Sequence, residues 1–343
     1  MPLAAPHIFL GSGDEIPCGV WGSAPRFYLF KEFFMLSFKS IWGHERVVGY
    51  LQRAVVARRW GHATVFCGQD GLGKMTLART FAKTILCGSG ESEPCGGCSS
   101  CVRFESGNHP DMFYVTPGKT KSIGVDDIRE QVSQNMMIKP YEYPYKVFIV
   151  AGPISTAAQN ALLKTIEEPS SFGVFIILTQ HIGMLLPTVR SRCVVFELRP
   201  LPTPLVEDYL VNKAGASVEE AKLYARYGNI GKALTLKEDD NFKQMQKHVL
   251  ELFAPSYLAD EIQAFKYAKE LENYKENIQD VLDVLYFKYR DLLVQKAQGL
   301  TLTELFKRLD AILETKRLLH YNANFLLALE VMLLKFISEG RSQ

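Results

Sequence analysis

Short apolar runs alternate with amphipathic segments through the first two hundred residues. A continuous apolar run is typical of a strand buried on both faces of a parallel sheet, whereas apolar residues three and four positions apart indicate a helix. The predicted strands are 63–67, 112–116, 146–151, 173–179 and 194–198. The predicted helices lie within 38–57 and at 76–86, 125–136 and 157–168. This alternation predicts an α/β fold, a parallel sheet with helices on both faces.

The last of these helices carries local start and stop signals. Thr156 and Gln159 are spaced as a capping box, in which the side chain of each residue accepts a hydrogen bond from the backbone N–H of the other. Pro169 is predicted to end the helix, because proline cannot continue the backbone hydrogen bonding.

The pattern changes after Pro200-Leu201-Pro202. From Pro204 onward apolar residues recur at helical spacing and no strand pattern is found. The chain is therefore divided into an α/β domain at 35–200, a small helical domain at 201–240 and a helical bundle at 241–343.

Residues 1–34 stand apart from the rest. They carry scattered glycines, prolines and aromatic residues, without the basic start and apolar core of a secretory signal. We interpret Met35 as the true start and the first 34 residues as a disordered tail or an extension of the reading frame. A genuine N-terminal element is the alternative.

Composition places the chain among soluble globular proteins, with 47% hydrophobic and 22% charged residues. No apolar run reaches about 18 residues, so no membrane span is predicted. The formal net charge of +2 neither requires nor excludes a nucleic-acid partner, because a basic groove can be hidden in a balanced total.

The stretch from Cys67 to Thr76, Cys-Gly-Gln-Asp-Gly-Leu-Gly-Lys-Met-Thr, has the spacing of a phosphate-binding P-loop between a strand and a helix. Glycines let backbone N–H groups point at phosphate oxygens, and the lysine adds a positive charge. The candidate nucleotide-binding residues are Gly68, Gly71, Gly73, Lys74 and Thr76. Met75 stands where the motif needs a hydroxyl for magnesium, and a thioether is a poor ligand for a hard cation.

A second magnesium ligand of the motif is also missing. P-loop ATPases place an Asp, often followed by a Glu, at the end of an apolar strand. The matching run at 146–151 ends in Ala151-Gly152-Pro153. Either the acid is absent, or it lies elsewhere, with Asp111 and Asp126 as the alternatives. The two losses predict that ATP or ADP binds weakly at most and is not hydrolysed.

Four of the seven cysteines, Cys87, Cys95, Cys98 and Cys101, lie close together. Such crowding in a chain without a secretory signal indicates a metal site before disulfide bonding. Four thiolates on tight turns match the tetrahedral ligand set of structural zinc, so a zinc module at 87–101 is predicted. An iron–sulfur cluster and a metal-free cluster are the alternatives, although the Cys-Pro pair that closes ferredoxin-type runs is absent.

Several motifs resemble those of the clamp-loader AAA+ ATPases of DNA replication. They are 160–169 (Asn-Ala-Leu-Leu-Lys-Thr-Ile-Glu-Glu-Pro), 187–193 (Pro-Thr-Val-Arg-Ser-Arg-Cys), Trp42-Gly43-His44-Glu45 and His62-Ala63. The four-cysteine module followed by His109-Pro110-Asp111 is similar to bacterial members. The resemblance covers about residues 36–240 with specific motifs, and the C-terminal helices only by their layout.

The resemblance implies a five-subunit AAA+ ring in the bacterial cytoplasm that opens a sliding clamp and places it on primed DNA. The implied partners are the motor subunits gamma and tau, the delta subunit, the clamp and the DNA, with no membrane. Residues 201–240 would form the lid, and 241–343 the collar that joins the ring. In this family the arginine of Ser-Arg-Cys reaches the ATP of a neighbour, which assigns Arg192 the role of an arginine finger in trans. An ordinary surface arginine is the alternative.

The chain departs from the motor subunits of that family at Met75, Ala151 and Gly152. Gly231, with Lys232 beside it, stands where the motors place an arginine that senses the γ-phosphate. These departures resemble members with degenerate nucleotide motifs, which implies a subunit that hydrolyses no ATP itself.

Two other functions compete with this interpretation. The first is an active motor subunit of the gamma or tau type with a variant site. The second is a zinc-bearing DNA-binding protein without a nucleotide role. The second is opposed by the sequence, which has no concentrated basic stripe.

Overall fold

A computed structural model of the chain describes residues 36–118, 120–168, 170–254, 260–295, 300–321 and 323–337. The tail interpreted at 1–34 and the helix-ending Pro169 lie outside these residues. Backbone contacts divide the described chain into two compact units. The first unit comprises 36–41, 45–68 and 74–197, and the second comprises 42–44, 69–73 and 198–337.

The first unit is built on a five-stranded sheet. Its strands are β1 (Ala63–Cys67), β2 (Met112–Val115), β3 (Lys146–Ala151), β4 (Gly173–Thr179) and β5 (Val194–Glu197). The order is β2-β3-β4-β1-β5, and every neighbouring pair is parallel. The predicted parallel sheet is confirmed. Cys67 and Thr179, the last residues of β1 and β4, are paired, so the carboxyl ends of these strands share one edge.

Helices connect the strands of this unit. They are α1 (Glu45–Ala57), α2 (Lys74–Leu86), α3 (Ser99–Glu105), α4 (Val125–Ile128), α5 (Gln134–Met136), α6 (Thr156–Glu167) and α7 (Pro187–Arg190). A π-helical turn at Arg129–Ser133 joins α4 to α5, so the helix predicted at 125–136 is present with one wider turn.

Both faces of the sheet are buried. Alternate side chains of a strand point to opposite faces, and every residue of β1 and β4 is buried. On one face Val65, Phe148 and Phe175 form a core with Leu162 and Ile166 of α6. Helix α2 also packs on β1, β3 and β4. Burial on two faces explains why these strands are continuous apolar runs rather than alternating ones.

The start of α6 corrects one local prediction. Ser155, rather than Thr156, caps the helix by accepting a backbone N–H with its side chain. Gln159 completes no capping box. Its amide donates to the carbonyl of Met184 at 2.9 Å, and its Oε1 accepts the N–H of Leu186 at 2.7 Å. The buried Gln159 thus ties α6 to the segment that leads into α7.

The second unit is helical in the region where the sequence predicts only helices. Its helices are α8 (Thr203–Asn212), α9 (Val218–Tyr224), α10 (Ile230–Glu238), α11 (Asp240–Leu252), α12 (Glu261–Leu271), α13 (Ile278–Gln295), α14 (Leu302–His320) and α15 (Phe325–Leu334). One buried core runs through them and includes Val206, Phe242, Leu282 and Leu329. Among the described residues, no helix combines the length and the apolar character needed to cross a membrane.

Candidate functional site

The predicted phosphate loop follows β1 and leads into α2, as its motif requires. Lys74 opens α2 and is buried, with 8% of its surface exposed. Its Nζ donates a hydrogen bond to the carbonyl of Gly68, 2.5 Å away. The Gly68 N–H donates to the carbonyl of Thr179 at the end of β4, 3.1 Å away. The lysine is therefore turned back onto the backbone of its own loop, while Thr76 is exposed on α2.

The tip of the loop, Gln69–Gly73, groups with the second unit. Gly71 and Gly73 have φ angles of +87° and +85°, which glycine adopts without strain. The Gly71 carbonyl accepts the N–H of Gly231 at 3.0 Å. A Cβ on Gly231 would lie 2.6 Å from the Cα of Gly71. Position 231 therefore holds a glycine because one backbone closely approaches another there.

Lys232, the neighbour of Gly231, directs its charge at α13. Its Nζ lies 2.8 Å from the carboxylate of Asp280 and 3.1 Å from that of Asp283. Asp283 also pairs with Lys316 of α14. Burial lowers the pKa of Lys232, but the two carboxylates outweigh burial and the pKa is raised. The ammonium group therefore stays protonated, and its charge is balanced by the two carboxylates within the second unit.

The two magnesium positions carry no oxygen-bearing side chain. Met75 is half-buried in the first turn of α2, and Ala151 ends β3. The alternative acid Asp111 precedes β2 and so lies at the amino edge of the parallel sheet, where its carboxylate accepts the N–H of Tyr141 at 2.9 Å. Asp126 is exposed in the first turn of α4. Asp111 thus serves as an acceptor for the backbone.

Arg192 lies in an exposed segment between α7 and β5. Its Nη1 donates to the carbonyl of Thr188 at 3.0 Å and to the hydroxyl of Ser191 at 3.2 Å. Its Nη2 lies 3.0 Å from Oε1 of Glu167 in α6, and the two side chains are 41% and 44% exposed. An accessible, permanently charged and forked guanidinium is suited to binding phosphate oxygens.

The four predicted metal-ligating cysteines converge. The sulfur atoms of Cys87, Cys95, Cys98 and Cys101 lie within 4.8 Å of one another. Cys87 and Cys101 are buried, whereas Cys95 is exposed. A tetrahedral zinc ion bound at the usual Zn–S length separates its sulfur ligands by about 3.8 Å. The cluster therefore has the ligand number and spacing to hold one metal ion.

Backbone N–H groups point at two of these sulfur atoms. The N–H of Cys95 donates to Cys87 at 3.3 Å, and the N–H of Cys101 donates to Cys98 at 3.4 Å. Burial raises the pKa of Cys98, but the N–H groups of Cys101 and Gly88 outweigh burial and bring the pKa to about 6. The fold thus favours the thiolate form, the form that binds a metal, at this cysteine.

His109 fixes the chain that follows the cysteine module. The N–H of Asp111 donates to its Nδ1 at 3.1 Å, so its Nε2 carries the proton and donates to the hydroxyl of Ser100 at 2.9 Å. The Ser100 hydroxyl donates to the carbonyl of Leu86 at the end of α2, 2.6 Å away. Burial lowers the pKa of His109 and favours the neutral ring that this arrangement needs. The His-Pro-Asp motif is thereby joined to α2 and α3.

Two of these contacts were not predicted from the sequence. Glu167 belongs to the motif at 160–169, but nothing in the spacing of residues pairs it with Arg192. The Ser100–His109 bond likewise joins the cysteine module to the His-Pro-Asp motif. In both cases the sequence shows a motif but carries no signal for the partner of the individual side chain.

Comparison with known proteins places this chain near bacterial replication proteins. A family model described as DNA polymerase III, delta subunit, matches residues 43–202. The DNA polymerase III subunit delta' of Bacillus subtilis (strain 168) is 29% identical over 310 residues, which cover 81% of this chain and 92% of that protein. The subunit delta' of Haemophilus influenzae (strain Rd) is 33% identical over 199 residues, 56% of this chain and 59% of that protein.

Similarity to the subunits called gamma/tau is confined to part of their length. That of Mycobacterium bovis is 37% identical over 177 residues, which cover 51% of this chain but only 30% of that protein. Among solved structures, a DNA polymerase III gamma subunit-related protein of Thermotoga maritima aligns with a TM-score of 0.40 and 17% identity, over 84% of this chain and 97% of that chain.

Proposed function

Since this chain is a delta-prime-like relative of the DNA polymerase III clamp-loader subunits, we propose that it lends Arg192 to the ATP site of a neighbouring subunit and hydrolyses no ATP itself. The observation that carries this proposal is the exposed guanidinium of Arg192. A side chain that acts on another subunit must be accessible on the surface of its own subunit. A planar, forked cation stabilises the charge that develops on a γ-phosphate during phosphoryl transfer.

The chain's own loop supports the second half of the proposal. Met75 and Ala151 offer no oxygen to magnesium, and the charge of Lys74 is directed at the Gly68 carbonyl. Gly68, Gly71, Gly73, Lys74 and Thr76 remain the candidate contacts for phosphate. Without the metal ligands, ATP or ADP would bind weakly and would not be turned over.

The proposed assembly is a hetero-pentamer with motor subunits of the gamma/tau type and a delta subunit, which loads a sliding clamp on primed DNA in the cytoplasm. In this proposal 35–200 is the AAA+ domain, 201–240 the lid and 241–343 the collar. Exposed apolar side chains on the C-terminal helices support a collar interface. They include Leu302, Phe306, Leu327 and Val331.

The metal in the cysteine cluster is proposed to be a structural zinc ion held by Cys87, Cys95, Cys98 and Cys101. Four converging sulfur ligands leave no open coordination position, which suits a structural rather than a catalytic ion. A [4Fe–4S] cluster would hold its thiolates further apart, because each of its four thiolates binds a different iron atom.

Elemental analysis tests the zinc assignment. Purified protein should contain about one zinc per chain, and Cys101→Ser should lose the metal and lower the melting temperature, because metal binding contributes to folding stability. Cys193→Ser, which alters a half-buried cysteine outside the cluster, is the control. Less than about half a zinc per chain in the unaltered protein would rule out the assignment.

The role of Arg192 is tested in a reconstituted complex with unaltered motor subunits. Arg192→Ala should lower ATP turnover at the junction that receives it by on the order of 10³-fold, as expected for an arginine finger, without preventing assembly. Arg190→Ala, in a neighbouring exposed position, should leave turnover unchanged. Unchanged DNA- and clamp-stimulated ATPase in Arg192→Ala would contradict the proposal, and so would DNA-stimulated ATPase of the isolated chain.

A further inference from the structure

The guanidinium of Arg192 bridges two neighbouring segments of the first unit. Glu167 is the last residue of α6, and Thr188 lies in α7, which contacts α6. A carboxylate at a helix C-terminus faces the negative end of the helix dipole and is disfavoured there unless a cation is close. Arg192 supplies that cation at 3.0 Å, and the Thr188 carbonyl accepts from the same guanidinium.

This resting contact is weak. Both side chains of the ion pair are more than two-fifths exposed, so water competes for each of them. Exposed ion pairs of this kind contribute little to stability. The Arg192 side chain can therefore leave Glu167 without disturbing the packing of α6, whose core residues are Ala158, Leu162 and Ile166.

The contact nevertheless matters for the charge that Arg192 presents. A carboxylate 3.0 Å from the guanidinium cancels much of its positive field. A terminal phosphate carries more negative charge than a carboxylate and accepts the same forked pair of N–H groups. The two anions therefore compete for one cation, and the phosphate is the stronger competitor.

We propose that Glu167 is the resting counter-ion of Arg192, which holds the guanidinium on its own subunit until the γ-phosphate of a neighbour displaces it. The inference rests on the proposed role of Arg192 in trans. Glu167 is a positioning residue, because it acts only through Arg192 and does not touch the nucleotide. Its effect is to lower the basal ATP turnover at the neighbouring site, because the guanidinium must leave Glu167 before it can bind the phosphate.

The test compares variants of the full chain, each assembled with unaltered motor and delta subunits. ATP turnover is measured without clamp and DNA. Glu167→Gln should raise it by about two- to fivefold, because it removes one exposed ion pair that opposes release. Glu167→Asp keeps the charge and should restore most of the restraint. Glu168→Gln, which removes the charge of the exposed neighbour, should change nothing.

A double substitution separates this role from a general effect on structure. In the Arg192→Ala background, Glu167→Gln should have no further effect on turnover, since there is no guanidinium left to release. A second measurement needs no ring: in the isolated full chain, NMR should show faster rotation of the Arg192 guanidinium in Glu167→Gln than in the unaltered protein.

Each remaining outcome contradicts the inference in a recognisable way. If Arg192→Ala lowers turnover but Glu167→Gln leaves it unchanged or lowers it, Glu167 is not a restraining counter-ion and the role of Arg192 stands. A rise in Glu167→Gln that persists without Arg192 shows that Glu167 acts on something else. If Arg192→Ala itself has no effect, the proposed function fails, and the inference fails with it.

Discussion

The phosphate loop and the Arg192 segment differ in how firmly their charged groups are held. Lys74 is buried and donates to a backbone carbonyl at 2.5 Å, and the loop tip is bonded backbone to backbone with Gly231. Arg192 is exposed and is held by one carbonyl, one hydroxyl and one carboxylate of the surface. The cation of the phosphate loop is therefore buried, whereas the cation of the Arg192 segment is accessible.

This difference shows that the residue spacing of a motif does not determine whether its polar groups are accessible to a ligand. The glycines and lysine of the loop keep the spacing of a nucleotide site, while the Lys74 ammonium group, the Gly68 N–H and the Gly71 carbonyl are hydrogen-bonded within the protein. The Ser-Arg-Cys segment is shorter and less distinctive as a pattern. Its guanidinium, however, is the group that another molecule can reach.

Replacing Arg192, the proposed arginine finger, by a residue of the same charge but a different shape is expected to have the largest effect. Arg192→Lys retains a cation and loses the forked pair of N–H groups, so turnover at the neighbouring junction should fall by about 10²-fold, as when one transition-state donor is removed. Single-turnover ATP hydrolysis by the reconstituted complex measures it, with Arg190→Lys as control. Activity equal to that of the unaltered complex would show that a point charge is sufficient.

Adding one methyl group where the two backbones meet should have the next largest effect. In Gly231→Ala the new Cβ would lie 2.6 Å from the Cα of Gly71, so the chain must shift. Such overpacking costs about 1–3 kcal/mol, which should appear as a lower free energy of unfolding in urea. Gly183→Ala is the matched control, because a Cβ there meets nothing within 4 Å. Equal stability of the two variants would refute the close approach.

Restoring one magnesium ligand should change least. Met75→Thr supplies a hydroxyl, but Ala151 still offers no carboxylate. The affinity for Mg-ATP measured by calorimetry should therefore rise by less than about tenfold, or roughly 1.4 kcal/mol, and the isolated chain should show no turnover. Turnover in Met75→Thr would mean that an acid elsewhere in the chain completes the site and that the loop is only one substitution from activity.

The sheet was predictable because its strands carry strong local signals. The runs at 63–67, 146–151 and 173–179 coincide with β1, β3 and β4, since burial on both faces favours apolar residues at most positions. The sequence pattern predicts the cap of α6 one residue too late, because Ser155 and Thr156 have equivalent hydroxyls. Sequence alone cannot tell which of two adjacent hydroxyls leaves the helical conformation.

The partners of the site residues were less predictable because they come from distant parts of the chain. The four cysteines converge as expected from their close spacing. By contrast, the bonds from Gly71 to Gly231 and from Arg192 to Glu167 depend on how the helices pack. The sequence shows a glycine at position 231, where the motor subunits of the family place an arginine. It does not show that the backbone of Gly71 lies too close for a side chain there.

The placement of Asp283 between two lysines makes one carboxylate link three helices. It accepts from Lys232 of α10 and from Lys316 of α14, while it belongs to α13. If Asp283 were neutralised, two ammonium groups would face each other with a single remaining anion, Asp280, beside the first. Mutual repulsion would then be added to the lost attraction, so the seam between these helices would open more readily than the deletion of an ordinary surface pair suggests.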